Sequence, residues 1–216
     1  MKWVGMLALI VALIGGFCCY RHWQNEQLIN RQVTSSVTTD TTRDTLKKTP
    51  IKPFTRQQFL NYRRQAFDRN VDKYPNGYLV IKRPGIRLPI YDRTNNWTLA
   101  LGVGKSYYLD SQMGQGNYVV AGHNMGMSGV LLSNLYQVQR GDKMTISDSK
   151  YIYQYQVKTK SKVSPSVTLI NGKAIAGSAY YMPKADEKPL LTVYTCSDGG
   201  ADRLVVQGEL IGQQRK

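Results

Sequence analysis

Three residues in the second half of the chain have side chains suited to nucleophilic catalysis. Cys196 ends an apolar run and is the only cysteine after residue 19. His123 is the only histidine after residue 22, and Arg203 follows Cys196 after a short turn sequence. A cysteine thiolate is a strong nucleophile, and imidazole titrates near neutral pH. These residue types predict a Cys–His catalytic pair, with Arg203 available to bind a developing oxyanion.

Each of the three residues also has a structural interpretation. A lone cysteine in an apolar strand is most often a packing residue. A histidine beside glycine and asparagine is often a solvated turn residue, and an arginine at the start of a strand can be surface charge. The residue types and their spacing leave the catalytic and the structural interpretations both open.

The segment that carries Cys196 and Arg203 is predicted to be a β-hairpin. Residues 190–196 are almost entirely apolar, β-branched or aromatic, which is typical of a buried strand. Residues 197–200 (Ser-Asp-Gly-Gly) supply turn chemistry, and a second apolar run begins at Arg203. Closing such a hairpin places Cys196 and Arg203 opposite each other across the turn.

The rest of the domain also has the pattern of short strands. From Tyr78 onward, apolar runs are bounded by Gly, Pro, Asn and Asp, and residues 151–157 alternate with a period of two. We predict a mostly β fold, an eight-stranded closed barrel over about 77–212 with one or two short helices. The expected strands include residues 97–104 and 116–124, and a short helix is expected over 131–138.

The N-terminal residues predict a membrane anchor. The uncharged run Trp3–Tyr20 reaches roughly 27 Å as a helix, close to the hydrocarbon thickness of a bilayer. No Ala-x-Ala-like cleavage site follows, which favours an uncleaved transmembrane signal anchor over residues 1–22. Cys18 and Cys19 raise the question of lipidation, but Cys18 follows Phe17, whereas lipobox cysteines follow a small residue.

A stalk and a helix are expected between the anchor and the barrel. Nine of the sixteen residues 34–49 are Ser or Thr, so this segment cannot bury enough apolar surface to offset its ordering entropy. We therefore predict a flexible stalk over 23–54. Thr55 and Gln58 fit a capping box, and apolar residues follow at helical spacing, which predicts a helix over about 55–70 at the start of a domain covering 55–216.

The composition excludes several other classes of protein. The chain has 216 residues with 29 Lys and Arg against 14 Asp and Glu, a formal charge of +15. No run of like charge stands out, so no nucleic-acid-binding arm is predicted. The diffuse charge suits anionic lipids and wall polymers, or serves solubility alone. The few His and Cys residues exclude a zinc site and a disulfide framework, and no Gly-x-Ser-x-Gly elbow is present.

Several segments together resemble the sortase family. Residues 192–196 (Thr-Val-Tyr-Thr-Cys) are similar to the family signature Thr-Leu-x-Thr-Cys, with Val193 in the usual leucine position. The segment VVAGHN resembles the strand that leads to the catalytic histidine, and RLVVQGEL resembles the strand that opens with the essential arginine. The segments IRLPIYD and LYQVQRGDKM are also similar, so the resemblance covers residues 77–210.

The resemblance implies a membrane-anchored cysteine transpeptidase. Such enzymes cleave surface proteins between Thr and Gly of a C-terminal Leu-Pro-x-Thr-Gly (LPXTG) sorting signal and pass the acyl-thioester to an amine of the peptidoglycan precursor. By this resemblance Cys196 is the nucleophile, His123 the acid–base residue, and Arg203 the ligand of the oxyanion or substrate backbone. Thr195 and Ala121 are expected to line the substrate groove. The expected location is the plasma membrane, with a single span and an extracellular catalytic domain.

Within the family, the housekeeping class A fits best, and the pilin-polymerising class is the alternative. Pilin-polymerising members usually have a lid before the barrel and a C-terminal membrane helix. No cofactor or metal is expected. Some class A members are stimulated by calcium through loop carboxylates, but only Asp186 and Glu187 precede the cysteine strand here, so no strong calcium requirement is predicted.

Two further alternatives remain. An exported L,D-transpeptidase is also a cysteine enzyme of the wall, but its histidine and cysteine lie close together in a Ser-x-Gly-Cys context that Cys196 lacks. A non-catalytic wall-associated module would have no reason to retain Cys, His and Arg together.

Overall fold

The computed structural model describes residues 2–166, 169–170, 173–174 and 178–216. The chain forms two compact units, one ending at Gln32 and one covering Val33–Lys216. The first unit contains a single helix, α1 (Lys2–Asn30). Within the described part of the chain, no helix combines the length and hydropathy that a membrane crossing requires. The structure therefore does not show the transmembrane segment predicted over 1–22.

The second unit is built on a closed barrel of eight strands, which confirms the predicted mostly β architecture. The barrel strands are β1 (Gly77–Ile81), β2 (Ile86–Tyr91), β3 (Val103–Lys105), β4 (Asn117–Gly122), β5 (Lys143–Ser147), β6 (Tyr151–Val163), β9 (Leu190–Ser197) and β10 (Asp202–Arg215). Neighbouring strands follow the order β1-β2-β3-β4-β9-β10-β6-β5. Two very short strands, β7 (Leu169–Ile170) and β8 (Lys173–Ala174), form a separate two-stranded pair.

Alternate residues of the central strands fill the barrel interior. On β4, β9 and β10 the interior residues are Tyr118, Val120, Leu191, Val193, Leu204 and Val206, all buried in one apolar cluster. Burial of each such aliphatic side chain contributes about 1.5–3 kcal/mol. Because side chains alternate with a period of two, the residues between them face outward together, and these outward residues form the candidate site.

Three short helices pack outside the barrel: α2 (Arg43–Leu46), α3 (Arg56–Asp68) and α4 (Asn96–Leu101). The predicted helix over about 55–70 corresponds to α3. The Thr55 hydroxyl accepts from the Gln58 amide, the Gln58 side chain accepts from the Thr55 amide, and the apolar stripe of α3 is buried. Short 3₁₀ turns cover Val71–Lys73, Leu135–Gln137 and Asp198–Gly200, so the helix expected over 131–138 is a single 3₁₀ turn.

The strand predicted over 97–104 is wrong for most of its length. Residues 96–101 form α4, and only β3 (Val103–Lys105) is a strand. Asn95 is 1% exposed, and its side-chain oxygen accepts from the amides of Trp97 and Thr98 at 2.9 and 3.0 Å. An apolar run of this length is compatible with either helix or strand, and the asparagine cap favours the helix.

The structure of residues 23–54 also differs from the flexible stalk that was predicted there. Residues 23–30 continue α1, and residues after 33 form hydrogen bonds with the barrel domain. The Thr49 amide donates to the Thr94 carbonyl at 2.9 Å, and Asn95 Nδ2 donates to the Asp44 and Lys47 carbonyls at 2.9 and 2.8 Å. A polar segment can therefore be held by backbone hydrogen bonds without a large apolar surface. We call residues 48–54 of this segment the strap.

Candidate active site

The candidate site lies on the outer face of three adjacent strands, β4, β9 and β10. Cys196 and Arg203 are direct partners in the antiparallel β9–β10 ladder, as the hairpin prediction requires. The parallel β4–β9 ladder ends with Gly122 opposite Thr195. Continuing that register by one residue places His123 beside Cys196. The fold therefore brings the three sequence-predicted catalytic residues into one row at one end of the face, and we call His123, Cys196 and Arg203 the catalytic row.

Two hydrogen bonds tie the cysteine strand to the histidine strand. The Thr195 hydroxyl donates to the Gly122 carbonyl at 2.8 Å, and Asn124 Nδ2 donates to the Cys196 carbonyl at 3.4 Å. Thr195 is 1% exposed, and its hydroxyl is engaged in the hydrogen bond that joins the two strands. The structure thus gives Thr195 a positioning contact that its predicted substrate-lining role did not include.

A cavity of about 1040 Å³ opens over this face. Its lining includes Cys196, Arg203, Thr195 and Ala121. The floor next to the catalytic row is apolar, since Ala121, Tyr194 and Val205 are ladder partners in one buried cluster. The cavity is large enough for an extended peptide segment, and its apolar floor with a few polar groups is typical of a ligand site.

His123 is covered rather than exposed to the cavity. It is 1% exposed, its ring lies 3.9 Å from the ring of Phe54 (centroid to centroid), and its Nε2 atom has no hydrogen-bond partner among the described residues. Burial lowers the pKa of His123 from 6.5 to about 4. The imidazole is therefore neutral at pH 7, and it lacks the proton that a general acid needs.

Phe54 belongs to the strap, which lies along the cavity. Lys48, Thr49 and Pro50 line the cavity, and Ile51 packs against the apolar floor. A side chain at Gly200, in the turn after Cys196, would approach the Pro53 ring to 3.1 Å, so the strap also contacts this turn closely. Sequence reasoning missed this contact. The sequence pattern that could have indicated the contact is Pro50-Ile51-Lys52-Pro53-Phe54, in which two apolar residues each follow a proline within a polar segment.

Arg203 makes local contacts in this arrangement. Its Nη1 atom donates to the carbonyls of Gly200 and Asp202, each at 3.0 Å, and the side chain is half-buried. Gly199 and Gly200 have φ of 69° and 103°, a region that favours glycine, which explains why this turn needs two glycines. The turn holds the guanidinium at the edge of the cavity, where its remaining donors can meet a substrate oxygen.

A tyrosine cluster forms one wall of the cavity. The rings of Tyr107 and Tyr180 lie 4.0 Å apart, and the Tyr180 hydroxyl donates to the Tyr107 oxygen at 2.6 Å. Tyr194 lies beside them, and its hydroxyl is 2.7 Å from that of Ser106. Burial raises the pKa of Tyr107 to about 12, so these rings are neutral at physiological pH. Sequence reasoning did not single out Tyr107 or Tyr180.

The described residues contain no group of three or more His, Cys, Asp and Glu side chains placed to hold a metal ion. Of the two loop carboxylates considered for calcium, Glu187 accepts from the Tyr181 hydroxyl and from the Lys184 amide. The hydrogen bonds lower the pKa of Glu187 below its usual value. The absence of a strong calcium requirement stays a prediction.

The fold and the catalytic row define a cysteine-dependent enzyme scaffold of the sortase type. The sortase domain family model matches residues 79–211, and the chain belongs to the sortase family. The chain is 32% identical to sortase A of Bacillus anthracis over 143 residues, covering 65% of this chain and 61% of that protein. It is 30% identical to sortase A of Streptococcus agalactiae, covering 62% and 52%. The chain thus spans little more than half the length of these relatives.

Solved structures agree with this assignment. Sortase A of Listeria monocytogenes superposes with a TM-score of 0.57 at 24% identity, covering 66% of this chain and 90% of that chain, a likeness of fold. Sortase C1 of Streptococcus agalactiae superposes with a TM-score of 0.53 at 27% identity, covering 69% and 76%.

Proposed function

We propose that this protein is a transpeptidase that uses Cys196 as its nucleophile. The observation that carries the proposal is the row His123–Cys196–Arg203 on the outer face of a sortase barrel, beside a peptide-sized cavity. A thiolate can attack a peptide carbonyl, an imidazole can transfer the protons, and a forked guanidinium can bind the oxyanion, so the three groups together can perform acyl transfer.

The reaction has two halves. In the first, the Cys196 thiolate attacks the peptide carbonyl, Arg203 binds the oxyanion, and protonated His123 donates its proton to the leaving amine as the C–N bond breaks. In the second, neutral His123 removes a proton from the acceptor amine as it attacks the thioester, and the Cys196 thiolate leaves. The proton lost by His123 in the first half is thus regained in the second.

The strap must move before this cycle can begin. His123 with a pKa of about 4 is unprotonated at pH 7, and Phe54 covers its ring. Displacing Phe54 would hydrate the imidazole and return its pKa toward 6.5, where both protonation states are populated. The structure therefore corresponds to a closed form of the proposed enzyme.

The proposed substrates are surface proteins bearing a Leu-Pro-x-Thr-Gly-type signal, with a lipid II-type peptidoglycan amine as the acceptor. The names of the relatives from Bacillus anthracis and Streptococcus agalactiae support class A. Extracellular action beside the plasma membrane is part of the proposal, and the net charge of +15 supports work beside anionic lipids and wall polymers.

A pilin-polymerising sortase is the second candidate. The observation that favours it is the strap, because a lid before the barrel is typical of that class. Comparing transfer to a peptidoglycan-like amine with transfer to a pilin lysine peptide distinguishes the two candidates. Faster transfer to the lysine peptide would favour the second.

The test of the proposal uses the purified full chain and a fluorogenic Leu-Pro-x-Thr-Gly peptide, with and without a glycine amine. Cleavage between Thr and Gly, a Cys196 acyl-enzyme seen by mass spectrometry and an amine-dependent transfer product are expected. Cleavage that persists in Cys196→Ala, or no acyl-enzyme with any sorting peptide even after Phe54→Ala, would show that the proposal is wrong.

A further inference from the structure

Three buried polar residues lie on the same outer face as the catalytic row, at its other end. Asn117 on β4 and Thr192 on β9 are fully buried, and Gln207 on β10 is 4% exposed. Gln207 and Thr192 are direct ladder partners. Thr192 is four residues from Cys196 on one strand, which corresponds to about 13 Å. This separation is too large for any of the three side chains to touch a group reacting at the thiol.

The three side chains are hydrogen-bonded to one another. The Thr192 hydroxyl donates to Asn117 Oδ1 at 2.7 Å and accepts from Gln207 Nε2 at 3.0 Å. We call Asn117, Thr192 and Gln207 the polar clip. The single hydroxyl of Thr192 links the two amides, so removing it breaks both bonds.

The clip also holds one segment of chain outside the barrel. Asn117 Nδ2 donates to the carbonyls of Tyr181 and Ala179 at 2.7 and 3.4 Å, and Gln207 Nε2 donates to the Ser178 carbonyl at 2.7 Å. Each amide nitrogen carries two hydrogens, and all four are used in this network. The clip thus binds three of the four backbone carbonyls of residues 178–181.

The segment held by the clip forms a wall of the cavity. Ser178, Ala179 and Tyr180 line the cavity together with Cys196. Ala179 belongs to the apolar cluster of the floor, and Tyr180 packs on Tyr107. A buried network of this kind restrains the cavity wall, because the backbone carbonyls that it holds cannot move without leaving buried side-chain amides unpaired.

We infer that the polar clip is a positioning device that sets the affinity of the site for its peptide by fixing residues 178–181. The inference rests on the proposed function for the peptide, but the clip's hold on the segment is independent of it. It assigns a role to the first threonine of the Thr-x-x-Thr-Cys signature: Thr192 orders the substrate wall, while Thr195 ties the two catalytic strands together.

The test compares Thr192→Val, which removes only the hydroxyl, with Thr192→Ser, which restores it. Thr145→Val, on half-exposed Thr145 of β5, is the matched control. Gln207→Met, with Gln214→Met as its control on an exposed residue of the same strand, repeats the test without changing Thr192. Each full-length variant is examined by amide hydrogen exchange of residues 178–181, by kcat and KM with a Leu-Pro-x-Thr-Gly peptide, and by the rate of Cys196 alkylation with iodoacetamide.

Thr192→Val and Gln207→Met are expected to raise KM about tenfold, the factor that corresponds to about 1.4 kcal/mol. The kcat and the alkylation rate should stay within about twofold, exchange of residues 178–181 should accelerate, and Thr192→Ser should restore all readouts. The two substitutions should be non-additive when combined, because they act through one segment.

Different failures are distinguishable. If exchange of residues 178–181 in Thr192→Val matches the wild-type protein, the clip does not hold the segment and the inference is wrong. Faster exchange with an unchanged KM would show a purely structural role and also overturn it. If the wild-type chain does not process the peptide at all, the proposed function fails, and faster exchange in the variants would still establish the hold but not its effect on affinity.

Discussion

The ring of Phe54 lies 3.9 Å from the ring of His123, centroid to centroid, and this contact removes the histidine from solvent. Phe54 is contributed by the strap and His123 by the loop after β4, so the contact joins two parts of the domain far apart in sequence. The consequence is chemical: burial lowers the pKa of His123 to about 4. The strap therefore holds His123, the proposed acid–base residue, in a protonation state unsuited to general acid catalysis.

Replacing Phe54 by alanine should restore the ordinary chemistry of His123. Without the ring, water reaches the imidazole, and its pKa should rise toward 6.5. We expect the NMR titration midpoint of His123 to move up by at least one pH unit and peptide cleavage at pH 7 to increase severalfold. Leu46→Ala, on an exposed residue of α2, is the control. An unchanged midpoint in Phe54→Ala would mean that the strap is not the cause of the low pKa.

The buried neutral histidine should make the domain sensitive to acid. The folded pKa of His123 is below its unfolded value of 6.5, so its contribution to stability is fully present above pH 6.5 and is lost as pH falls toward 4. A pKa difference of this size corresponds to roughly 3 kcal/mol.

Urea unfolding at several pH values between 7 and 4 measures this loss. In His123→Gln the free energy of unfolding should fall less over the same range, because the group that takes up the proton is gone. Parallel pH curves for the wild-type protein and His123→Gln would contradict the prediction.

The proposed catalytic pair predicts two different losses. Cys196→Ala should abolish acyl-enzyme formation without unfolding the domain, because the change removes only one sulfur atom from a side chain that lines the cavity. His123→Ala should lower turnover by about 10²–10⁴-fold, the usual contribution of a general acid–base residue. Circular dichroism checks folding, and near-normal rates in His123→Ala would remove His123 from the mechanism.

Arg203→Lys distinguishes two roles that the Arg203 side chain could have, oxyanion binding and activation of the Cys196 thiol. A lysine keeps the charge but loses the forked donors, so an oxyanion-binding role predicts at least a tenfold fall in kcat/KM. Alkylation of Cys196 by iodoacetamide forms no oxyanion and should change little. If alkylation slows in parallel with peptide cleavage, Arg203 acts by activating the thiol instead.

Asn95→Ala should destabilise the domain. The Asn95 side chain caps α4 and donates to two carbonyls of the segment before the strap, so its loss leaves several buried groups unpaired. We expect a cost of about 2–3 kcal/mol in the free energy of unfolding. Asn96→Ala, at the adjacent half-exposed position, is the control and should change stability by less than about 0.5 kcal/mol. Equal effects of the two substitutions would contradict the capping role.

The amino-acid sequence by itself determined the catalytic hairpin. Alternation of apolar residues fixes which side chains face the barrel interior, and a short glycine turn fixes which residues face each other, so Cys196 and Arg203 could be paired from local pattern alone. The capping box at Thr55 is equally local, because both of its hydrogen bonds join residues three apart.

Only the tertiary structure decided what surrounds the row of His123, Cys196 and Arg203. The apolar run after Asn95 fits helix or strand, and packing with a buried cap selects the helix. The polar composition of residues 23–54 predicts a flexible stalk, yet the side chains of Ile51 and Phe54 and the backbone hydrogen bond from Thr49 to Thr94 hold the strap over the cavity. Contacts such as Phe54 on His123, and Asn117 with Thr192 and Gln207, join residues far apart in the chain, and no local pattern encodes which distant surfaces meet.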